Sequence, residues 1–315
     1  MLGRVANNLY WMARYLERAE NNARLIETAF RRSLSQADNT NDEWTTVLSL
    51  MGAREEYDAL HEVFDQAQVT NFLLREKSNP ASVIKLVQRA RQNGRIVRTA
   101  LTKEAWQAIN NLWLSLEKSL ARPVSRHDLP QILGQVRQGN ELVRGALGGT
   151  MLRNDIFNFM KLGMLVERGD NTARLLNARY SLFLPSASVL HQNNGLAHWD
   201  MVMSAIGAMR AYNWLHKGRM QGPLVLDFLI ADKRMPHSLH YCYTNIVRQM
   251  EALEEAYDRI YESGRLAREI NANFEAPKIV ELVHFGLKDF IASFLAANAG
   301  LSDQLEIDFK FNSIG

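Results

Sequence analysis

The sequence has little of what interrupts or cross-links a chain. Only 7 prolines and 18 glycines occur in 315 residues, too few for a protein of many short strands. The single cysteine, Cys242, excludes an internal disulfide and a Cys-x-x-Cys metal site, and it fits a reducing compartment. No uncharged apolar stretch approaches the length of a membrane-spanning helix, and the first residues lack the hydrophobic segment of a signal peptide. We therefore expect long helices, a cytoplasmic location and no membrane partner.

Charge of one sign does not dominate either. Lys and Arg number 37 and Asp and Glu 34, they are interleaved, and the formal net charge is +3. This balance gives no indication of a nucleic-acid partner. With 47% hydrophobic residues, the composition is that of a soluble globular protein that needs no metal or disulfide to be stable.

Metal-ligand patterns are also missing. No histidine follows Glu17 or Glu20 three residues later, so the Glu-x-x-His signature of di-iron bundles is absent, and the eight histidines are scattered. We expect no metal and no cofactor.

What the sequence does contain is an internal repeat. Residues 17–26 return as residues 167–176, with six of ten positions identical. A second block follows at an offset of 155, and it matches Trp44, Val47, Ser49, Gly52, Ala53 and Tyr57 with Trp199, Val202, Ser204, Gly207, Ala208 and Tyr212. A third block at an offset of 156 matches Phe72, Leu73, Lys77, Pro80 and Ser82 with Phe228, Leu229, Lys233, Pro236 and Ser238. We interpret residues 1–150 and 151–315 as two half-repeats, packed as one compact domain with pseudo-two-fold symmetry.

Both halves have the periodicity of helices. An apolar stripe at three- and four-residue spacing predicts a first helix from about residue 3 to 35. Residues 185–198 are the clearest loop, and the glycines at 145, 148 and 149 are interpreted as a helix connection. The tail, residues 305–311, alternates by two and predicts a short extended segment. The fold class is all-α, an internally duplicated helical bundle.

The best-repeated segment is charged. Glu17, Asn21 and Arg24 share one face of a helix, as do their counterparts Glu167, Asn171 and Arg174. Arginine suits bidentate contact with a carboxylate or phosphate, which glutamate can orient. Glu17 and Glu167 are therefore candidate catalytic residues. The candidate ligand-binding residues are Arg14, Arg18, Asn21, Arg24, Arg168, Asp170, Asn171 and Arg174.

Three interpretations of this face remain open. It can be structural, with crossed Glu17–Arg174 and Glu167–Arg24 pairs that fix the halves. It can be a ligand-binding or catalytic site at the junction, including that of an independent enzyme with a carboxylate–guanidinium site. It can also be a helical interface with a partner protein. Within each helix, Glu20 with Arg24 and Asp170 with Arg174 are predicted i,i+4 pairs.

The opening NNLYWMARYLERAENNARLIE and the later GMLVERGDNTARLLNARYSLFLP resemble the Alpha-E family, also called DUF403, which consists of bacterial all-helical proteins named for a Glu-Arg motif. Residues 227–238 (DFLIADKRMPHS) extend the resemblance, which covers essentially the whole chain. The motif corresponds to Glu17-Arg18 and Glu167-Arg168. Gly169-Asp170 departs mildly from the family pattern.

The resemblance implies partners. Members of this family are usually encoded beside, or fused to, an ATP-grasp-type protein and often beside a transglutaminase-like protein. The resemblance therefore implies that the chain is an accessory subunit of an amidoligase that makes or modifies a peptide. Its ligand would be a peptide or an amino-acid-like molecule. In that setting Arg24 and Arg174 would hold a carboxylate or phosphate group. The alternative is a non-catalytic helical scaffold.

Overall fold

A computed structural model describes residues 3–35, 40–62, 64–182, 199–274 and 286–311. Helices account for most of these residues, and no strand occurs among them, so the all-α prediction is confirmed. The loop predicted at 185–198 lies outside the described residues. Within the described part of the chain, no helix is both long and apolar enough to cross a membrane.

The chain divides into two compact units. One is Trp11–Leu152, and the other combines Met1–Tyr10 with Arg153–Gly315. The boundary between Tyr10 and Trp11 falls inside the first helix, α1, which runs Gly3–Ser35.

The unit Trp11–Leu152 continues from α1 through a series of neighbouring helices. Helices α2 and α3 pack together, α2 packs on α4, and α4, α5, α6 and α7 pack in chain order. A short 3₁₀ turn at Arg98–Ala100 separates α5 from α6. The bounds are α2 Thr40–Leu50, α3 Arg54–Leu60, α4 Gln66–Arg75, α5 Val83–Ile96, α6 Lys103–Ser119 and α7 Leu129–Thr150.

The other unit is built around a long helix, α8, Asp155–Leu182. Two further helices, α11 and α13, pack on α8, and α12 packs on both of these. Helix α10 packs on α9 and α11, and residues 199–205 are also helical. The remaining bounds are α9 Met209–His216, α10 Gly222–Ile230, α11 Leu239–Tyr257, α12 Glu262–Ala272 and α13 Leu287–Asp308.

The observed α1 confirms the predicted helix at residues 3–35. Its apolar stripe is buried, since Leu9, Met12, Ala19, Ala23 and Ile26 have no exposed surface. No proline or glycine interrupts the helix after its first residue. The helix can therefore run over the full length of the apolar stripe.

The segments that match at an offset of 155 end their helices in the same way. Gly52 has φ 62° and Gly207 has φ 68°, the left-handed conformation that glycine adopts without strain. The amide that follows each glycine donates to a carbonyl five residues earlier, at 2.9 Å for Ala53 to Leu48 and 2.8 Å for Ala208 to Met203. Both turns are therefore Schellman caps.

Equivalent aromatic clusters follow these turns. Tyr57 stacks on His61 at 4.7 Å between ring centroids, and Phe72 meets Tyr57 edge-on at 5.2 Å. Tyr212, His216 and Phe228 repeat the arrangement at 4.6 Å and 5.6 Å. These are local similarities between the halves, and the pseudo-two-fold axis stays a prediction.

Two predictions for helix ends are wrong. Residues 305–308 are helical rather than extended, because Leu301 and Leu305 continue the buried stripe of α13 at a four-residue interval. Ile307, which completes the apparent alternation, is exposed. The glycines at 145, 148 and 149 belong to the last two turns of α7 instead of a connection.

Candidate functional site

The charged face of α1 is buried. Glu17 and Glu20 are each 4% exposed and Asn21 is 6% exposed, although apolar residues cover the other side of the same helix. Charged side chains are almost never buried to this extent without partners. The contacts of these groups are therefore decisive for what the face can do.

Glu20 is held by two guanidinium groups. Arg24, one turn further along α1, donates from Nε and Nη2 to Oε1 of Glu20 at 3.0 and 2.8 Å. Arg144, from the last turns of α7, donates to both carboxylate oxygens, with Nη2 3.1 Å from Oε1 and a shorter bond from Nη1 to Oε2. The i,i+4 pair is as predicted, and the contribution of α7 adds a bidentate bond.

Two further carboxylates lie near the guanidinium groups of Arg24 and Arg144. Glu17 Oε2 is 3.9 Å from Nη1 of Arg144, and Glu141 Oε1 is 3.9 Å from Nη2 of Arg24. The side chains of Arg24 and Arg144 are partly exposed, unlike those of Glu17 and Glu20. The two cations therefore lie between buried carboxylates and solvent. We call Glu17, Glu20, Arg24 and Arg144 the Glu/Arg cluster.

Asn21 adds an unsatisfied group on the same helix face. Its Nδ2 is buried and makes no hydrogen bond with any described residue. A buried amide donor without an acceptor costs about 1–3 kcal/mol, so such a group is retained only where something else compensates.

Two other candidates on α1 have different surroundings. The guanidinium of Arg14 lies over the ring of Trp11, 4.7 Å from its centroid, and the residue is buried. Arg18 is half-buried.

In the second half the equivalent residues hold a loop. Glu167 and Arg168 are buried in α8, and Arg168 Nη1 donates to the carbonyl of Pro236 at 3.3 Å. One turn later, Thr172 donates to the carbonyl of His237 at 2.8 Å. Arg168 thus anchors the 227–238 motif to α8, which is a positioning role.

The second i,i+4 pair is confirmed and more exposed. Arg174 Nε donates to Oδ2 of Asp170 at 2.5 Å, and more than half of the Arg174 side chain is exposed. Asn171 beside them is half-buried.

Buried phenols line the core next to this part of α8. Tyr243 donates to Oδ1 of Asn298 at 2.8 Å, and Asn298 Nδ2 donates to the carbonyl of Val166 at 3.3 Å. Burial, followed by the nearby Tyr10, Cys242 and Asp170, raises the pKa of the Tyr243 phenol well above its ordinary value. Tyr243 therefore acts as a neutral hydrogen-bond donor that stabilises the core.

The described residues contain no group of three His, Cys, Asp or Glu side chains that could hold a metal ion. What the Glu/Arg cluster offers is guanidinium N–H groups near solvent, backed by buried carboxylates. Such groups bind carboxylate or phosphate oxygens.

The predicted residues are only partly brought together. Glu17, Glu20 and Arg24 meet Arg144, which is not among the residues predicted for the site. Its link to Glu20 spans 124 positions, and nothing in the local pattern indicates it. His61 and His216 also occupy equivalent positions at an offset of 155. The alignment of the second repeated block could have predicted this pair.

The dipeptide Glu-Arg occurs at two places in the sequence, 17–18 and 167–168. The model of the Alpha-E family, described as a predicted alpha-helical domain with a conserved ER motif, matches residues 1–309. The chain belongs to the Alpha-E family. The expected membership is confirmed, and both Glu-Arg pairs lie on long helices, α1 and α8.

Relatives of this Alpha-E chain are uncharacterized mycobacterial proteins. One from Mycobacterium bovis and one from Mycobacterium tuberculosis strain CDC 1551 are each 26% identical over 332 residues, and one from strain H37Rv is 25% identical. Each match covers 96% of this chain but 36% of the relative's own length. No solved structure matches the chain.

Proposed function

We propose that this Alpha-E chain is the accessory subunit of an ATP-grasp-type amidoligase system that makes or modifies a peptide. Its charged helix faces bind a carboxylate or phosphate group of the peptide or of the acyl-phosphate intermediate. The observation that carries the proposal is a buried charged cluster whose arginines reach solvent. Beside it, the amide donor of Asn21 makes no hydrogen bond to the residues that the structure describes.

The two proposed anion-binding arginines keep donors to spare. Arg24 and Arg174 each use Nε and Nη2 for a carboxylate of their own helix. In the described part of the structure, the Nη1 groups of both make no hydrogen bond. A ligand oxygen can therefore bind there without breaking the intrahelical pair, which holds each guanidinium in place.

The chemistry suits such a group. In amide formation of this class, ATP phosphorylates a carboxylate and an amine then displaces the phosphate. Both the acyl phosphate and the released phosphate carry negative charge that guanidinium groups stabilise. Glu17 and Glu167 would orient the cations or accept the proton of the amine.

The lengths of the relatives support an accessory role. In the mycobacterial proteins the matched region is 36% of the chain, so it is covalently joined to further polypeptide. A region joined to a longer chain is held beside it at a high effective concentration. A separate chain would instead have to bind its partner, which is the role of an accessory subunit.

The test is ATP turnover by the ATP-grasp partner with and without this chain. We expect the chain to raise turnover or change the product, and Arg24→Gln with Arg174→Gln to remove the effect. Arg31→Gln, which alters an exposed arginine paired with Glu27, is the matched control. An unchanged rate and product would contradict the subunit role.

The scaffold alternative is favoured by one observation, the complete pairing of Glu20. Thermal unfolding of Glu17→Gln, Glu167→Gln and the double variant separates the two. Breaking a buried ion pair costs about 3–5 kcal/mol, so a large loss in each single variant supports a structural role. Unchanged or raised stability supports carboxylates kept for function at some cost to the fold.

A further inference from the structure

Trp214 is exposed on a short helix. It lies on α9 and is 83% exposed, whereas Trp44 and Trp199 of the repeated block are buried. Tryptophan is enriched among the residues that contribute most of the binding energy at protein interfaces. Trp214 is therefore a candidate anchor for a partner surface.

The charges around Trp214 are of one sign. Arg210 and Lys217 are exposed. Arg210 lies one turn before Trp214 on the same side of α9, and Lys217 caps the end of the helix three residues after Trp214. Residues 209–219 contain three basic and no acidic residues. In the described residues, Arg210 and Lys217 make no ion pair. We call Arg210, Trp214 and Lys217 the basic face.

The matching positions of the other half-repeat are acidic and small. At an offset of 155, Arg210, Trp214 and Lys217 correspond to Glu55, Ala59 and Glu62. All three are exposed, and Leu60 beside them is half-exposed. Residues 54–62 contain four acidic residues and one basic residue, Arg54, which pairs with Asp58. We call Glu55, Ala59 and Glu62 the acidic face.

Both faces are held by the same local framework. Each face follows a Schellman cap at a left-handed glycine. In each helix a buried tyrosine packs on a histidine and a phenylalanine. The first charge and the central residue therefore lie one turn apart on each helix, Arg210 with Trp214 and Glu55 with Ala59. Lys217 and Glu62 follow just beyond the two helix ends.

We propose that the basic face of α9 binds the acidic face of α3 on a second copy of this chain. Arg210 and Lys217 would pair with Glu55 and Glu62, while Trp214 would cover Ala59 and Leu60. Charge complementarity and the large-to-small match of Trp214 with Ala59 argue for this occupant. Within the described structure, the residues of both faces are exposed to solvent.

The experiment is sedimentation velocity of the whole chain, from about 10 to about 300 µM, the range suited to a small contact. We expect concentration-dependent association whose dissociation constant rises about tenfold between low and high salt, because exposed ion pairs are screened. Trp214→Ala should weaken it, whereas Leu152→Ala, at another exposed apolar residue, should not.

Charge exchange gives the decisive result. Arg210→Glu/Lys217→Glu makes both faces acidic, and Glu55→Lys/Glu62→Lys makes both basic, so each variant alone should stay monomeric. Mixed together, they should associate again. The control Arg122→Glu/Arg126→Glu reverses two exposed cations elsewhere and should behave like the parent.

A chain that stays monomeric over the whole concentration range overturns the proposal. So does association that survives both charge reversals, or a mixture that fails to associate while circular dichroism shows that both variants are folded. Binding of either face to an unrelated acidic or basic protein without self-association also overturns it.

Discussion

At the scale of single residues, Glu20 shows how a buried carboxylate is stabilised by hydrogen bonds to arginines. Glu20 is almost completely buried and accepts hydrogen bonds from Arg24 and Arg144. A carboxylate without hydration is stable only if such partners replace the lost water. Its counterpart Asp170 has the same intrahelical partner type, Arg174, but that arginine is largely exposed.

This contrast predicts different costs for matched substitutions. Glu20→Gln should lower the free energy of unfolding by about 3 kcal/mol, because it removes the charge that two guanidinium groups surround. Asp170→Asn should cost about 1 kcal/mol or less, since water solvates Arg174 readily. Urea unfolding of both variants measures the difference. Equal costs would mean that Arg144 contributes nothing to the stability of the cluster.

Asp232 is expected to make the free energy of unfolding depend on pH in acid. Side-chain hydrogen bonds from Arg234 hold the pKa of the Asp232 carboxyl below its ordinary value, although burial opposes the shift. The carboxylate also accepts from the backbone amide of Arg234 at 2.8 Å. The folded state therefore releases this proton more readily than the unfolded chain does.

The contribution of Asp232 is fully present above the unfolded pKa, about 3.9, and is lost as the pH falls through the lower folded value. Asp232→Asn should thus flatten the fall of the unfolding free energy with acid below about pH 4. Urea unfolding across that range checks it, with the exposed Asp303→Asn as control. An unchanged slope would refute the role of Asp232.

At the scale of helices, two glycines of α8 differ in how much space surrounds them. A Cβ at Gly163 would overlap the backbone carbonyl of Tyr10, whereas a Cβ at Gly169 would meet Phe294 at 3.5 Å, an ordinary contact. Gly163 is required by the close approach of α1, and Gly169 is not required by packing. Gly169 is the position that departs from Ala19 in the repeat.

Alanine substitutions should therefore have opposite effects. Gly169→Ala should raise the free energy of unfolding by about 0.5–1 kcal/mol, the helix preference of alanine over glycine. Gly163→Ala should lower it by about 2 kcal/mol or more, because backbone atoms must move. Thermal unfolding monitored by circular dichroism gives both signs. A loss for Gly169→Ala would show that the space beside Phe294 is smaller than the structure has it.

Features within one helix follow from the sequence, because they depend on local periodicity. The bounds of α1 follow from an unbroken apolar period, and the pairs Glu20–Arg24 and Asp170–Arg174 follow from i,i+4 geometry. The prediction of an extended tail is wrong because Ile307 is apolar but exposed, so its hydrophobicity does not indicate burial. Arg144 was not assigned to Glu20 because contacts between distant helices depend on packing that no local period encodes.

At the scale of the whole molecule, one helix belongs to two units. Tyr10 is fully buried, and its hydroxyl lies 2.9 Å from Oγ of Ser302, with Phe311 at 5.6 Å between ring centroids. Two residues later, Met12 is equally buried but faces Gly94 on α5. Two side chains within one turn of α1 thus complete different cores.

Substitutions two residues apart should for this reason destabilise different parts of the chain. Tyr10→Ala removes a large buried ring, at a cost of about 3–5 kcal/mol, and should speed hydrogen exchange in α8 and α13. Met12→Ala costs about 2–5 kcal/mol and should speed exchange in α5 and α6 instead. Mass spectrometry of exchanged peptides distinguishes the two patterns. If both variants speed exchange in all helices to the same extent, the expectation that each residue stabilises its own unit is contradicted.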